Sequence, residues 1–114
     1  MNTQELQKLI GTTVTVEVDR PLGSVHPNHT DVIYSVNYGY IKGIIAQDGE
    51  EQDVYILGVT APVNCFTGVV INVIHRKNDI EDKLVVAPKN VRFTKDEIIK
   101  ATHFQEKYFD IEII

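Results

Sequence analysis

The sequence predicts a mainly β fold, in which about five strands close into a small barrel and one α-helix follows near the C-terminus. Val and Ile dominate a hydrophobic content of 43%, and β-branched residues favour strands. Val14, Val16 and Val18 alternate with polar residues, which is the pattern of a half-buried strand. The segment from Thr94 to Glu97 matches a capping box, which marks the start of a helix.

The other elements are predicted from alternating apolar residues and from the turn residues between them. They are a short helical turn at 4–10, strands at 13–19, 32–46, 54–59, 69–75 and 84–87, and a terminal strand at 109–113. Gly39 and Gly43 are predicted to mark bulges or bends in the longest strand. These elements are most economically arranged as an OB-like closed barrel with the helix packed against it. A chain of 114 residues fits one domain spanning 1–114.

The charge balance limits the classes of partner. The net charge is −5 at pH 7, which argues against a protein that binds nucleic acid by neutralising its phosphates. Cys65 is the single cysteine, so it has no partner for an internal disulfide. No segment approaches the roughly 18 apolar residues that cross a bilayer, and the residues after Met1 lack the pattern of an export signal. We therefore expect a cytoplasmic protein without a membrane or nucleic-acid partner.

A run of tyrosines followed by an acidic turn is the most informative part of the chain. Tyr34, Tyr38 and Tyr40 share one face if this segment is a strand, because strand side chains alternate. A turn rich in carboxylates follows, from Asp48 to Asp53. Phenols donate hydrogen bonds to anionic oxygens, and clustered carboxylates attract hard cations. The combination predicts a site for a metal-bound phosphate.

Four short motifs give the chain a resemblance to a known family. In chain order they are Tyr34-x-x-Asn37-Tyr38-Gly39-Tyr40-Ile41, Asp48-Gly49-Glu50-x-x-Asp53-Val54, Glu81-Asp82-Lys83-Leu84-Val85 and His103-Phe104-x-Glu106-x-Tyr108. With these motifs, of which the first is the most specific, the sequence resembles the soluble, metal-dependent (family I) inorganic pyrophosphatases, as a short and divergent member. The resemblance implies a barrel fold and hydrolysis of pyrophosphate to phosphate. It also implies Mg²⁺ as cofactor, with Mn²⁺ as an alternative, and a homo-oligomer.

The resemblance further implies roles for individual residues. Glu50 or Asp53 would assist the attacking water, with Glu17 and Tyr34 in supporting positions. The implied phosphate-binding residues are Tyr38, Lys83, Tyr108 and Arg20. The implied metal ligands lie in two acidic turns and are Asp48, Glu50, Asp53, Asp79, Glu81 and Asp82. In the second turn, either Glu81 or Asp82 occupies the main metal-ligand position, because that segment is one residue shorter than the family pattern.

The sequence departs from the family pattern at several phosphate contacts. Thr15 and Phe109 stand where the family has lysines. The loop that should hold a phosphate-binding arginine is rebuilt, and either Arg20 or His26 is the substitute. These departures support an alternative function, in which a catalytically impaired barrel binds a metal or a phosphorylated ligand without turnover. A third alternative, a barrel that binds oligonucleotides, is opposed by the acidic charge balance.

Several features also have purely structural explanations. Asp48-Gly49 alone is more often an ordinary hairpin turn than a metal site, and the segment 79–82 alone reads as a solvated acidic turn. His26 and His29 have a spacing that suits zinc, but no cysteine pair or second histidine pair accompanies them. The apolar C-terminal tail is either a final strand or a subunit interface.

Overall fold

The computed structural model describes residues 1–114, and its strands close into a barrel. The helices are α1 (Thr3–Gln7) and α2 (Lys95–Glu106). The strands are β1 (Thr13–Arg20), β2 (Asn37–Ile45), β3 (Glu51–Ile56), β4 (Cys65–Arg76), β5 (Asp82–Ala87) and β6 (Ile111–Ile113). The order around the sheet is β1-β2-β3-β5-β4, and β4 pairs back with β1 to close the barrel. The predicted fold class is confirmed, with β6 as an additional strand on the end of β4.

The strand β4 is longer than the predicted segment 69–75 because it has two partners. Its first part, Cys65–Val69, pairs with β1, and its later part pairs with β5. A register shift between Val70 and Asn72 lies where one pairing gives way to the other. Such irregularities bend a strand and increase its local twist. One bent strand therefore joins both edges of the sheet and closes the barrel.

The strand β2 begins at Asn37, five residues later than predicted. The preceding segment, 21–36, forms a loop (the histidine loop) that folds back on itself through a bridge between Val25 and Ile33. The predicted irregularity at Gly43 is confirmed by its positive φ of 85° and by a register shift nearby. Gly39 has a different role, because a Cβ there would collide with the carbonyl oxygen of Glu17 on β1. The glycine of the tyrosine motif thus lets β1 and β2 approach closely.

The core has two parts that lie on opposite faces of the sheet. One cluster receives residues from all five barrel strands and from α1, so it fills the barrel; its members are Leu6, Val16, Ile41, Val54, Ile56, Val70, Val73, Leu84 and Val86. The other cluster lies between the sheet and α2; its members are Tyr34, Tyr38, Tyr55, Leu57, Ile71, Ile74, Val85, Ala87, Ile98 and Ile113. Neighbouring residues of β3 and β5 belong to opposite clusters, as strand alternation requires.

The helix α2 begins at the predicted capping box. The Thr94 side chain accepts a hydrogen bond from the Glu97 N–H, and the Glu97 carboxylate accepts one from the Thr94 N–H. These bonds satisfy N–H groups that have no partner within the helix. Neither helix of the structure has the length and apolar character needed to cross a membrane.

Helical spacing after the capping box predicts an inward stripe on α2 of Ile98, Ala101, Phe104 or Gln105, and Tyr108. Ile98 is buried, and Ala101 and Phe104 are partly buried against the same core cluster. The buried residues are Ile98, Thr102 and Glu106, which are spaced four apart. Tyr108 lies beyond the end of the helix and is 58% exposed. The stripe was wrong at Tyr108 and missed Glu106 because a carboxylate is normally expected in solvent. This one is buried with a cationic partner, described below.

Candidate functional site

The largest cavity of the molecule, the main cavity, has a volume of about 410 Å³ and a charged wall. Its cations are Arg20, Arg76 and Lys83, and its carboxylates are Asp31, Asp53 and Glu81. The other lining residues are His26, His29, Tyr38, Gln105, Tyr108 and Phe109. These residues come from the barrel strands, the histidine loop and the end of α2. The cavity therefore forms where all three parts of the fold meet.

Lys83 lies between two of the predicted metal ligands. Its Nζ is 2.8 Å from Asp53 Oδ2 and 2.8 Å from Glu81 Oε2, and its side chain is only 3% exposed. The parallel pairing of β3 with β5 sets Val54 beside Leu84, which brings Asp53 next to Lys83. Tyr38 donates a hydrogen bond of 2.8 Å to the same oxygen of Asp53. Burial, followed by the charge of Asp53, raises the pKa of Tyr38 well above its usual value, so this phenol stays a donor.

Arg76, at the end of β4, forms a buried ion pair with Glu106 of α2. Its Nε donates to Glu106 Oε1 at 2.9 Å and its Nη2 donates to Oε2 at 2.6 Å. The guanidinium carbon lies 3.7 Å from the ring centroid of Phe109. Burial alone would lower the pKa of Arg76, but the hydrogen bonds and charge of Glu106 outweigh it and raise the pKa. Arg76 therefore stays charged, and its pair with Glu106 joins the barrel to the helix.

A chain of hydrogen bonds extends from Arg20 to Glu106 behind the cavity wall. Arg20 Nη1 donates to the Tyr34 hydroxyl at 2.6 Å, and that hydroxyl donates to Gln105 Oε1 at 2.6 Å. Gln105 Nε2 then donates to the Tyr55 hydroxyl, which donates to Glu106 at 2.5 Å. Burial raises the pKa of Tyr34 and of Tyr55. Both phenols therefore stay protonated and hold their neighbours in fixed orientations.

The histidine loop places two imidazoles at the cavity. The ring centroids of His26 and His29 are 4.9 Å apart, and His26 is stacked on Tyr34. His26 Nδ1 accepts a hydrogen bond from the Asn28 N–H at 3.1 Å, so the neutral ring carries its proton on Nε2. Burial, together with the positive charge of Arg20, lowers the pKa of His26 below its usual 6.5. His26 therefore serves as a neutral hydrogen-bond donor at pH 7.

A second, smaller cavity of about 230 Å³ collects carboxylates beside the first. It is lined by Asp19, Tyr40, Glu50, Glu51 and Asp53. Asp53 lies between the two cavities, because it lines both. Burial raises the pKa of Asp19, and the charge of Asp53 acts in the same direction. Tyr40, which shares a strand with Tyr38, contributes to this second cavity.

The structure places the other predicted site residues apart from the main cavity or at its rim. Asp48 accepts a hydrogen bond from the Glu50 N–H within its own exposed turn. Asp79 accepts one from the Ile80 N–H, and its second oxygen lies 3.4 Å from Arg76. Glu17 is on the outer surface of β1, with its carboxylate 3.9 Å from the Lys42 ammonium. Tyr108 is at the rim of the cavity.

The side chains of Glu81 and Asp82 point in opposite directions at the start of β5. Asp82 is 6% exposed and faces α1, where it accepts a hydrogen bond from the Thr3 hydroxyl at 2.5 Å and lies 2.9 Å from His75 Nδ1. Glu81 lines the main cavity. Of the two alternatives left by the sequence, Glu81 is the residue that reaches the cavity.

Comparisons with known proteins identify the fold. No protein-family model matches the sequence, and no curated protein matches it. An inorganic pyrophosphatase from Ehrlichia chaffeensis is similar with a TM-score of 0.69 and 18% identity, over 90% of this chain and 85% of the other. An inorganic pyrophosphatase from Coxiella burnetii is similar with a TM-score of 0.66 and 15% identity, over 91% of this chain and 84% of the other. An inorganic pyrophosphatase from Neisseria gonorrhoeae is similar with a TM-score of 0.63 and 20% identity, over 95% of this chain and 78% of the other.

The chain has the fold of the inorganic pyrophosphatases. The resemblance that the motifs implied is therefore confirmed at the level of the fold. Thr15 and Phe109, the two residues that stand where the family has lysines, make contacts of other kinds in this structure. Thr15 donates to or accepts from the Thr67 hydroxyl at 2.9 Å on the exposed side of the barrel. Phe109 packs its ring on Arg76 at the main cavity.

The carboxylates implied as metal ligands are not arranged as one cage. No group of three His, Cys, Asp or Glu side chains is placed to hold a metal ion. Asp53 and Glu81 approach each other as expected, but the Lys83 ammonium lies between them, and Asp82 faces away. The residues of the main cavity therefore do not fit an arrangement of several bound ions. Magnesium binding stays a prediction.

Sequence reasoning missed Arg76, Glu106 and Gln105 as residues of the site. Glu106 belongs to one of the quoted motifs, but neither its burial nor its partner was inferred. Arg76 lies just beyond the predicted strand at 69–75, which is mostly apolar. No local signal in the sequence pairs these two residues, because the contact joins a strand end to a helix end 30 residues away.

Proposed function

We propose that the main cavity binds a small phosphorylated molecule of the pyrophosphate class. The observation that carries this proposal is the convergence of Arg20, Arg76 and Lys83 on one cavity that also has imidazole and phenol donors. Proteins bind phosphate oxygens through charge-assisted hydrogen bonds from such groups, and arginine is favoured because it presents a planar fork of donors. The similarity in fold to inorganic pyrophosphatases supports the same class of ligand.

Arg20 is the cation that we expect to contact the ligand directly. Arg76 and Lys83 are held by carboxylates, whereas the only side-chain hydrogen-bond partner of Arg20 is the Tyr34 hydroxyl. A guanidinium has five N–H donors, so most of those on Arg20 are open to a ligand. His26 lies beside it and offers its Nε2–H. Of the three cations of the cavity, Arg20 is therefore the one that forms no ion pair.

Titration calorimetry with inorganic pyrophosphate tests the proposal. We expect wild-type protein to bind it and Arg20→Gln to bind it about 10- to 100-fold more weakly, because a hydrogen bond to a charged group contributes about 1.5–3 kcal/mol. Arg92→Gln is the matched control, since Arg92 is exposed and donates only to the neighbouring Val91 carbonyl. Absence of binding by the wild type, both with Mg²⁺ and with EDTA, would contradict the proposal.

Magnesium-dependent hydrolysis of pyrophosphate is the second candidate. The observation that favours it is the position of Asp53, which contacts Tyr38 and Lys83 in the main cavity and lies beside Glu50 in the second. Release of phosphate in the presence of Mg²⁺ or Mn²⁺ would support it, provided that Asp53→Asn abolishes the release and Asp110→Asn, at an exposed position, does not. Binding of pyrophosphate without release would leave only the first function.

A single domain, a homo-oligomeric state and a cytoplasmic location remain predictions. Sedimentation velocity of the purified chain tests the oligomeric state. The acidic net charge of −5 continues to oppose a nucleic-acid partner, and a gel-shift measurement at low salt tests that expectation.

A further inference from the structure

The position of Lys83 bears on whether the main cavity needs a metal ion. Asp53 Oδ2 and Glu81 Oε2 each lie 2.8 Å from the same Lys83 nitrogen. Divalent Mg²⁺ and Ca²⁺ ions bind carboxylate oxygens at about 2.0–2.6 Å. The ammonium therefore occupies the point from which a divalent ion would contact both carboxylates.

The Lys83 side chain is fixed in this position. It comes from β5, a strand paired on both sides in the barrel, and its side chain is 3% exposed. Its ammonium also lies 5.7 Å from the centroid of the Tyr38 ring, within cation–π range. Withdrawing the ammonium would break both ion pairs and leave a buried charge without a partner, which is costly. A metal ion that entered here would have to displace it.

Arg76 adds a second fixed cation on the same carboxylate. Its Nη1 lies 3.5 Å from Glu81 Oε2, and the bidentate pair with Glu106 holds it in place. Glu81 is thus neutralised from two sides without a metal. Lys83 has three N–H donors, of which Asp53 and Glu81 take one each. The third is available to a ligand, because Lys83 lines the cavity.

We propose that Lys83, supported by Arg76, replaces a divalent cation between Asp53 and Glu81, so that the main cavity binds its phosphorylated ligand without metal. The part of this inference that concerns the ligand rests on the proposed function. The part that concerns the carboxylates does not, because it predicts that removing one ammonium creates a metal site. The two parts can be measured separately.

Manganese binding measured by electron paramagnetic resonance, with no phosphate present, tests the carboxylates. We expect Lys83→Met to bind Mn²⁺ at least tenfold more tightly than wild type, and the additional change Glu81→Gln to remove this gain. Glu81 is chosen because Asp53 also lines the acidic second cavity. Lys83→Arg keeps the positive charge and should show no gain. Wild-type Mn²⁺ binding that Glu81→Gln weakens tenfold or more would overturn the inference, and this measurement does not depend on the folding of Lys83→Met.

Calorimetry with inorganic pyrophosphate in EDTA and in Mg²⁺ tests the ligand. We expect the affinity in EDTA to equal or exceed that in Mg²⁺, because Mg²⁺ also binds pyrophosphate in solution. Binding that is tenfold tighter in Mg²⁺ would overturn the inference while leaving the proposed function intact. Absence of binding in both conditions would instead contradict the proposed function, and the manganese measurement would still decide the role of Lys83.

Discussion

The guanidinium groups of the two arginines in the main cavity, Arg20 and Arg76, differ in burial and in bonding partners. Arg76 is 5% exposed in its side chain and is paired through two hydrogen bonds with Glu106, which is 1% exposed. Arg20 is partly exposed and donates only to the phenol of Tyr34. Both line the same cavity. Position relative to a carboxylate, rather than residue type, separates a structural arginine from one that is available to a ligand.

The physical reason for this difference is the cost of removing charges from water. A buried guanidinium keeps its charge only where a carboxylate and good hydrogen bonds compensate for the lost solvent. Arg76 meets that condition through Glu106, and the arrangement ties the end of β4 to the end of α2. Arg20 retains contact with solvent, so it needs no carboxylate. Its charge can therefore be neutralised by a ligand instead.

The largest expected effect comes from breaking the buried pair. Glu106→Leu removes the carboxylate and leaves the Arg76 charge without its principal partner in the interior, which should lower the free energy of unfolding by about 3–5 kcal/mol. Urea unfolding at pH 7 measures the change. Asp96→Ala is the control, because its pair with Lys100 is exposed on the same helix and should contribute about 0–1 kcal/mol.

A double variant sharpens this prediction. Arg76→Met with Glu106→Leu replaces both charges by apolar side chains, and we expect it to recover much of the stability lost in Glu106→Leu. If Glu106→Leu costs no more than Asp96→Ala, the pair is not desolvated and the contrast between the two arginines fails.

Arg20→Gln should lower ligand affinity strongly and stability only slightly. The substitution removes one hydrogen bond to Tyr34, whose hydroxyl keeps its bond to Gln105, so the free energy of unfolding should fall by only about 1 kcal/mol. The loss of pyrophosphate affinity should be larger, about 10- to 100-fold. Urea unfolding and calorimetry on the same preparation give both values. A stability loss as large as that of Glu106→Leu would place Arg20 among the structural residues.

The sequence was sufficient for most of the strands and for the start of α2, because local patterns determine both, whereas the barrel was predicted as their most economical arrangement and from the family resemblance. Alternation around Val16 identifies a half-buried strand, and the Thr94 capping box identifies a helix N-terminus regardless of what surrounds them. Arg76 and Glu106 are 30 residues apart in sequence, and neither has a local pattern that indicates burial. Their pairing depends on how the helix lies across the sheet, which one sequence does not specify.

The ambiguity between Glu81 and Asp82 arose because the segment is one residue shorter than the family pattern, and the predicted strand did not reach it. The predicted strand began at Leu84, whereas β5 begins at Asp82. With the correct start, alternation sets Lys83 and Asp82 on opposite faces, and the preceding Glu81 then shares the side of Lys83. A strand prediction that began at Asp82 would therefore have resolved the ambiguity. The position of Lys83 between two carboxylates, by contrast, requires the parallel pairing of β3 with β5, which is not local.

The N-terminal cap of α2 tests whether a loss of helix stability also lowers the affinity of the main cavity for pyrophosphate. Thr94→Ala removes the acceptor for the Glu97 N–H and should lower the free energy of unfolding by about 1 kcal/mol. Thr94→Ser keeps the acceptor and should stay close to wild type. Because Gln105 and Glu106 lie at the far end of the helix, pyrophosphate affinity should not change in either variant. A loss of affinity in Thr94→Ala alone would mean that the cap also positions the cavity wall.

The smallest expected effect concerns the pH dependence of stability at the Arg20 end of the cavity. Burial and the Arg20 charge lower the pKa of His26 in the folded state below 6.5. Protonation is therefore easier in the unfolded chain, so the contribution of His26 to stability is complete above pH 6.5 and is lost as the pH falls through the folded-state pKa. Urea unfolding of wild type and His26→Gln between pH 8 and pH 5 measures this, and the wild type should lose more stability than the variant as the pH falls. Arg92→Gln, at an exposed position, is the control and should follow the wild type. Identical pH profiles for His26→Gln and wild type would mean that folding does not lower the pKa of His26.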